Sequence, residues 1–192
     1  MWQSAAGDPR SKRLFDIVGA IGGLAAFAPV MAVIAVAILS EDGRPILFHQ
    51  ERLGRARRAF TIVKFRSMRG HRVTRVGRIL RATGLDELPQ FLNILRGDMS
   101  AVGPRPLTVA DVRRLGWSAP RFDFRWRVRP GLTGLAQVMG AEAGGLSASL
   151  DRCYVARRSL WLDVQLVALS FAINALGKRR IRQILTRRLE PG

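Results

Sequence analysis

The chain has 192 residues, 48% of them hydrophobic, and a formal net charge of +18 from 32 Lys and Arg against 14 Asp and Glu. This length predicts one compact core with at most an appendage, and the composition excludes collagen-like, low-complexity and disulfide-rich classes. So large a positive charge predicts an anionic partner, which could be a nucleic acid, an anionic lipid or a phosphorylated substrate. The single cysteine, Cys153, cannot form an intrachain disulfide, which is compatible with a reducing compartment.

An uncharged apolar run extends from Ile17 to Leu39. As a helix it would be roughly 35 Å long, enough for the hydrocarbon core of a bilayer. A cleavable signal peptide is disfavoured because the run is too long and is followed by Ser40, Glu41 and Asp42 rather than by a small-residue cleavage site. The run therefore predicts a membrane segment.

Basic residues flank this run on both sides, namely Arg10, Lys12 and Arg13 before it and Arg44, Arg52, Arg55, Arg57 and Arg58 after it. Lys and Arg favour the cytoplasmic side of a membrane, so both ends are predicted there. A straight transmembrane helix cannot provide that arrangement, whereas a re-entrant hairpin over residues 12–41 can, and an ordinary kinked transmembrane anchor is the alternative. Pro29 interrupts helical hydrogen bonding near the middle of the run and predicts the bend. Gly19, Gly22 and Gly23 would let another element pack closely against the hairpin.

Beyond the run, the segment from Ile46 to Met68 predicts a short β-hairpin that turns near Gly54. Apolar residues at helical spacing, Leu88, Phe91, Leu92 and Leu95, predict a core-facing helix that stops at Gly97. Closely spaced Pro and Gly residues predict rigid loops at 102–106, which displays Arg105, and at 129–134. The segment 160–176, followed by basic residues, predicts a helix in the membrane interface, with a core helix as the alternative.

Residues 52–85 contain eleven Lys or Arg and no acid, which predicts a basic surface, although a solvated face or an RNA-binding stripe would have the same composition. Asp86 and Glu87 are the first acids after this stretch and directly precede Leu88-Pro89. Because proline is tolerated only in the first turn of a helix, the helix should begin just before Pro89. The two carboxylates are therefore predicted at a helix N-terminus, where anions, including phosphate, are favoured.

Two interpretations of these acids remain open. In the first, Asp86 only caps the helix, since Thr83-Gly84-Leu85-Asp86 fits the capping-box pattern; with Thr83 as N-cap, however, Pro89 would lie inside the helix at a cost of about 3 kcal/mol. In the second, the two carboxylates hold Mg²⁺ together with substrate phosphates while one of them attacks phosphorus. The abundant Arg would then neutralise the phosphates.

Several short motifs in one order resemble the bacterial sugar transferases, also called monotopic phosphoglycosyl transferases. They extend from Lys12 to about Leu176 and comprise KRLFD at 12–16, KFRSM at 64–68, LDELPQ at 85–90, Asn93, GDMS at 97–100, VGPRP at 102–106, RPGLTG at 129–134, Asp151, Tyr154 and WLD at 161–163. Pattern and resemblance together predict a predominantly helical α+β protein. It would have a loose N-terminus (1–11), a re-entrant membrane hairpin (12–41) and a membrane-apposed cytosolic catalytic domain (42–192) with a short β-hairpin and interfacial helices.

The resemblance implies transfer of a sugar-1-phosphate from a nucleotide diphosphate-sugar, usually a UDP-sugar, to polyprenyl phosphate. UMP would be released, in the first membrane step of glycoconjugate assembly. The reaction would pass through a phosphosugar-aspartyl intermediate on Asp86, with Mg²⁺ held by Glu87 and Asp86.

The same resemblance assigns cationic residues to the substrates. Arg81 and Arg105 would contact phosphate or nucleotide, and Lys64, Arg66 and Arg129 would line the same basic pocket. Membrane lipids are further expected partners, nucleic acid is not, and a homo-oligomer is left open.

The expected location is the bacterial inner membrane, with the catalytic domain on the cytoplasmic face. Because the multi-span N-terminal extension of larger relatives is missing, a minimal catalytic unit is expected. The alternative function is a non-catalytic, membrane-tethered basic module that binds anionic lipid or nucleic acid. Its nucleic-acid version is weakened by an aromatic content of 7%, without the interleaving of basic and aromatic residues that base stacking requires.

Overall fold

The computed structural model describes residues 9–141 and 144–176. Their helices are α1 (Arg10–Asp42), α2 (Arg75–Thr83), α3 (Phe91–Arg96), α4 (Val109–Arg114), α5 (Leu135–Val138), α6 (Gly145–Arg157) and α7 (Leu160–Leu176), with 3-10 helices at Arg55–Arg57, Leu85–Gln90 and Pro120–Arg127. The strands are β1 (Leu47–Leu53), β2 (Ala59–Phe65), β3 (Met68–Arg69), β4 (Arg72–Val73), β5 (Ser100–Val102) and β6 (Gly131–Thr133). A mostly helical α+β chain is confirmed. Most of the predicted loose terminus lies outside the described residues, and α1 begins at Arg10.

Three two-stranded sheets position the loops of the protein. The predicted hairpin is confirmed as β1 and β2, which pair antiparallel from Leu47 opposite Phe65 to Leu53 opposite Ala59. The short strands β3 and β4 form a second hairpin. Strands β5 and β6 pair in parallel, and this pairing brings the two Pro- and Gly-containing loops at 102–106 and 129–134 side by side.

Helix α1 has 33 residues, includes Pro29, and is by length and composition the one described helix that could cross a membrane. Many of its apolar side chains are exposed, among them Leu14, Val18, Ile21, Val33 and Val36. An apolar helix surface of this kind is unfavourable in water, so α1 has the surface of a helix that contacts lipid.

The N-terminal end of α1 is fastened by two buried charged residues. Lys12 donates to the Asp163 carboxylate in α7 at 2.6 Å and to the Val102 carbonyl at 3.2 Å. One turn later, Asp16 accepts hydrogen bonds from the Ser100 hydroxyl and the Ala101 amide. Lys12, counted above as a free flanking charge, is therefore 6% exposed and ion-paired.

The C-terminal end of α1 contacts the same body of the protein. Glu41 accepts the backbone amides of Arg75 and Val76 at 2.7 and 2.8 Å, which satisfies two free N–H groups at the start of α2. Asp42 is paired with Arg66 at 2.9 Å. Both ends of the long apolar helix are thus attached to the domain that follows it.

The middle of α1 packs on α3 at one of the three predicted glycines. A Cβ atom at Gly23 would lie 2.7 Å from the Phe91 ring, whereas Gly19 and Gly22 face open space. Close approach therefore depends on Gly23 alone.

Helix α7 has the predicted limits, 160–176, and it carries its one charged residue on the buried face. Asp163 and Leu166 are buried, while Leu160, Trp161 and Phe171 are exposed. The basic residues at 178–182 lie outside the described part of the chain.

Candidate active site

The segment that carries Asp86 and Glu87 is the 3-10 helix Leu85–Gln90. Helix α2 ends at Thr83, and Gly84 then takes the left-handed conformation (φ 74°), which glycine adopts at the least cost. The Thr83 hydroxyl donates to the Ile79 carbonyl at 2.8 Å, so Thr83 ends a helix rather than capping a new one. The two acids lie in the first turn of the 3-10 helix, as the position of Pro89 predicts.

Asn93 in α3 fixes this segment against strand β2. It is fully buried, its amide oxygen accepts the Val63 N–H at 3.0 Å, and its amide nitrogen donates to the Thr61 carbonyl at 2.7 Å. Both bonds satisfy the unpaired edge of β2. Asn93 thus sets the position of the next strand residue, Lys64, relative to the acids.

Lys64 and Glu87 form an ion pair at the surface of this site. The Lys64 ammonium donates to Glu87 Oε1 at 2.5 Å, with side chains 18% and 34% exposed, respectively. The second oxygen of Glu87 accepts no hydrogen bond from any described residue. Glu87 therefore has one oxygen fixed by Lys64 and one available to a ligand.

Asp86 is partly buried beside this pair, and its environment makes it more basic than an ordinary carboxylate. Burial raises the pKa of Asp86, and the negative charge of Glu87 raises it further, while Lys64 and Arg81 act in the opposite direction. A more basic carboxylate oxygen shares its electrons more readily, which suits a nucleophile.

Of the cations predicted for the pocket, Arg81 and Arg105 are available at its surface. Arg81 is exposed in the last turn of α2, where its charge acts on Asp86. Arg105 is exposed between Pro104 and Pro106, and within residues 9–141 and 144–176 its side chain makes no hydrogen bond or ion pair. Both guanidinium groups can therefore bind an incoming anion.

Arg66 and Arg129, by contrast, hold the backbone together. Arg66 donates to the carbonyls of residues 42–44 that end α1. Arg129 donates through Nε to the Gly97 carbonyl, at the end of α3, at 2.7 Å. The structure thus brings Lys64, Arg81 and the two acids together, and gives Arg66 a structural contact at the end of α1.

Comparison with known sequences agrees with this geometry. The sequence model of the family described as bacterial sugar transferase matches residues 8–176. The chain belongs to the bacterial sugar transferase family.

Relatives within the bacterial sugar transferase family carry specific names. The chain is 44% identical over 177 residues to the UDP-glucose:undecaprenyl-phosphate glucose-1-phosphate transferase of Caulobacter vibrioides. The matched region covers 81% of this chain and 66% of the relative. It is 39% identical over 175 residues to the UDP-N-acetylgalactosamine-undecaprenyl-phosphate N-acetylgalactosaminephosphotransferase of Aeromonas hydrophila, covering 81% and 41%. It is 37% identical over 180 residues to the UDP-glucose:undecaprenyl-phosphate glucose-1-phosphate transferase of Escherichia coli K12, covering 83% and 39%. The chain thus spans at most about two thirds of these relatives' lengths.

Sequence reasoning counted Arg52 only as a flanking charge, yet in this bacterial sugar transferase fold it lies at the site. Burial lowers the pKa of Arg52, the Asp111 and Glu87 carboxylates raise it, and the charge of Arg105 lowers it. Arg52 also donates to the Pro106 carbonyl at 3.3 Å. It therefore lies between the acids and the loop of Arg105, a place that its strand pattern alone does not reveal.

Arg125 is the second residue that the sequence did not single out. It is 4% exposed, donates to Asp151 at 2.5 Å and to the Arg105 carbonyl at 2.9 Å, and stacks over the Trp117 ring at 4.4 Å. These contacts fix the loop that displays Arg105. The motif residue Asp151 signalled a role, but its partner could be identified only in three dimensions.

Proposed function

We propose that this chain is a phosphoglycosyl transferase that moves a sugar-1-phosphate from a UDP-sugar to polyprenyl phosphate. The observation that carries the proposal is the partly buried, more basic Asp86, which lies beside the Glu87–Lys64 pair and close to the charge of Arg81. The reactions named for the relatives support the same substrate classes.

In the first step, an Asp86 carboxylate oxygen attacks the phosphorus that carries the sugar. The bond from this phosphorus to the bridging oxygen breaks, and the bonding electrons leave with UMP. The product on the chain is an acyl phosphate that joins Asp86 to the sugar phosphate. Because the nucleophile is already an anion, this step requires no general base.

In the second step, a phosphate oxygen of polyprenyl phosphate attacks the same phosphorus. The bond to Asp86 breaks, the carboxylate is restored, and polyprenyl diphosphate-sugar leaves. Again no proton has to move when the acceptor phosphate is ionised. Because UMP leaves before the acceptor reacts with the covalent intermediate, the two half-reactions follow a ping-pong order.

The surrounding cations bind the charge that these steps involve. Arg81 and Arg105 are exposed and suited to bidentate contact with the donor diphosphate. Lys64 orients Glu87. Arg52 donates to the Pro106 carbonyl beside Arg105 and supplies a further positive charge there. Fixed charges of this kind stabilise a phosphoryl transition state without reorganisation.

The acids fit a magnesium ion of the kind that binds together with substrate phosphates. Mg²⁺ commonly takes one or two protein carboxylates and completes its coordination with phosphate and water. Asp86 and Glu87, whose second carboxylate oxygen is available, are the residues that would hold the ion. When bound, Mg²⁺ neutralises negative charge on the donor diphosphate.

The membrane arrangement is part of the same proposal. Both ends of α1 are attached to one polar domain, through Lys12 and Glu41, and Pro29 lies between them. A continuous helix that bends at Pro29, so that it enters the cytoplasmic leaflet of the bacterial inner membrane and returns, would satisfy both attachments. It would also place Asp86 where a lipid phosphate meets a soluble nucleotide-sugar.

The substitution Asp86→Asn tests the reaction. With UDP-glucose, UDP-galactose and UDP-N-acetylgalactosamine as donors and Mg²⁺ present, the wild type should release UMP and acquire a sugar-phosphate adduct on Asp86, detected by mass spectrometry of the intact protein. Asp86→Asn should do neither while remaining in the membrane fraction. Asp123→Asn, at a surface ion pair with Arg57, is the matched control and should retain both. Undiminished turnover by Asp86→Asn, or mere donor-independent binding with a steep salt dependence, would refute the proposal.

A further inference from the structure

An apolar groove of about 450 Å³ lies between the C-terminal half of α1 and helix α2. One wall is the α1 face that includes Val33, the other is the α2 face that includes Ile79, and Leu85 also lines the groove. Every lining side chain is Pro, Val, Ile, Ala or Leu. The groove therefore offers no hydrogen-bonding side chain to a polar ligand.

Two helical patterns create this groove. On α1 the lining residues recur at Val30, Val33, Ile34 and Ala37, which is one face of a helix. On α2, Val76, Ile79 and Leu80 line the groove, while Arg75, Arg78 and Arg81 are among the residues that do not line it. Val33 and Ile79 are 69% and 64% exposed, respectively, so the residues that the structure describes leave a large apolar surface uncovered.

The groove adjoins the segment of the candidate nucleophile. Of its lining residues, Leu85 immediately precedes Asp86, and Leu80 immediately precedes Arg81, whose positive charge acts on Asp86. The apolar lining and the candidate site are therefore joined by neighbouring residues of the chain at two points. This proximity of an apolar groove to a cation suits an amphiphile with one apolar chain and a terminal anionic group.

We propose that the groove binds the isoprenoid chain of the polyprenyl phosphate acceptor and directs its phosphate towards Arg81 and Asp86. This inference rests on the proposed function and assigns the acceptor's binding site within it. A nucleotide-sugar does not suit the groove because its hydroxyls and base would lose hydrogen bonds there. The groove volume lies within the range of about 300–1,000 Å³ that is typical of ligand sites. It therefore suits one segment of the isoprenoid chain, which is the segment nearest the phosphate.

Substitutions that fill the groove separate acceptor binding from the first chemical step. In Val33→Trp and Ile79→Trp, one on each wall, the KM for undecaprenyl phosphate should rise about tenfold or more, equivalent to about 1.4 kcal/mol. The amount of sugar-phosphate adduct formed on Asp86 from donor alone should be unchanged, which also shows that the variants are folded. Val36→Trp is the control, since Val36 is 61% exposed on the same helix and does not line the groove.

A photoreactive undecaprenyl phosphate with a diazirine in its isoprenoid chain gives a readout that does not depend on turnover. Cross-links should map to residues 29–37 and 76–85, and unlabelled undecaprenyl phosphate should suppress them more strongly than phosphatidylglycerol at the same concentration. Equal suppression by phosphatidylglycerol would mean a general lipid contact and would overturn the inference, as would an unchanged acceptor KM in both groove variants. A wild type that forms no Asp86 adduct with any donor would instead refute the proposed function, while the cross-links would still report on the groove.

Discussion

Arg125 and Asp151 form an ion pair in the interior of the domain, at 2.5 Å and with both side chains 2% exposed. The second guanidinium nitrogen of Arg125 donates to the carbonyl of Arg105. Burial raises the pKa of Asp151 to about 6, although Arg125 acts against the rise. The free energy that the carboxylate loses by leaving water therefore exceeds the free energy that it gains from Arg125, which is common for buried ion pairs. Arg125 thus connects the buried Asp151 carboxylate to the loop that carries Arg105.

Asp151→Asn should remove one contribution to the pH dependence of stability. The native state holds the Asp151 proton more tightly than the unfolded chain, so wild-type stability falls as pH rises from about 4 to 6 and is level above that window. The neutral Asn side chain does not titrate, and it leaves the buried Arg125 guanidinium without a counter-charge, which lowers the stability of the variant at every pH. The difference between the unfolding midpoints of variant and wild type in detergent should therefore shift in favour of the variant as pH rises from about 4 to 6. A shift in favour of the wild type over this window would contradict the raised pKa of Asp151.

Arg125→Lys tests the positioning role directly. Lysine keeps the charge beside Asp151 but cannot supply the second, divergent donor to the Arg105 carbonyl. We expect the KM for the UDP-sugar to rise about tenfold, the equivalent of one hydrogen bond to a charged group, with a smaller change in kcat. Arg127→Lys, an exposed neighbour in the same 3-10 helix, should leave both constants unchanged. A fall in stability without a change in the KM would indicate a purely structural role.

Local patterns were sufficient wherever short-range chemistry decides the structure. The alternation of β1 and β2, the stop at Gly97 and the helix start imposed by Pro89 all follow from neighbouring residues. The same patterns placed Asp86 and Glu87 correctly in a first helical turn. What surrounds those acids depends on residues far apart in the chain.

Long-range partners could not be predicted in this way. Arg52, Arg66 and Arg125 are all simply basic residues in the sequence, yet each has a different role. Arg52 lines the site, Arg66 holds the backbone at the end of α1, and Arg125 positions the Arg105 loop. Each role depends on which carbonyl or carboxylate the tertiary fold brings near. Lys12 shows the same limit, because a cation beside an apolar run resembles a topology signal until its buried partner, Asp163, is known.

Lys12→Met should destabilise the attachment of α1. It would leave the Asp163 carboxylate buried without its counter-charge, and breaking a buried pair in this way costs about 3–5 kcal/mol. The Tyr154 hydroxyl lies 2.8 Å from the same carboxylate and can offset only part of that loss. The unfolding midpoint in detergent should fall, whereas Arg10→Met, at an exposed cation near the same helix end, should have little effect. Equal midpoints for the two variants would show that the pair does not hold α1.

Gly23→Ala should weaken the contact between α1 and the acid-bearing segment, since a Cβ atom there would lie 2.7 Å from the Phe91 ring. Phe91 begins α3 directly after the segment Leu85–Gln90, so a displaced ring shifts the helix that follows Asp86. We expect lower stability and slower adduct formation on Asp86. Gly22→Ala makes the same chemical change one residue away, in open space, and should be neutral or stabilising by about 0.5–1 kcal/mol because alanine favours helix. If both variants behave alike, in unfolding midpoint and in adduct formation, then the contact of Gly23 with Phe91 does not position the site.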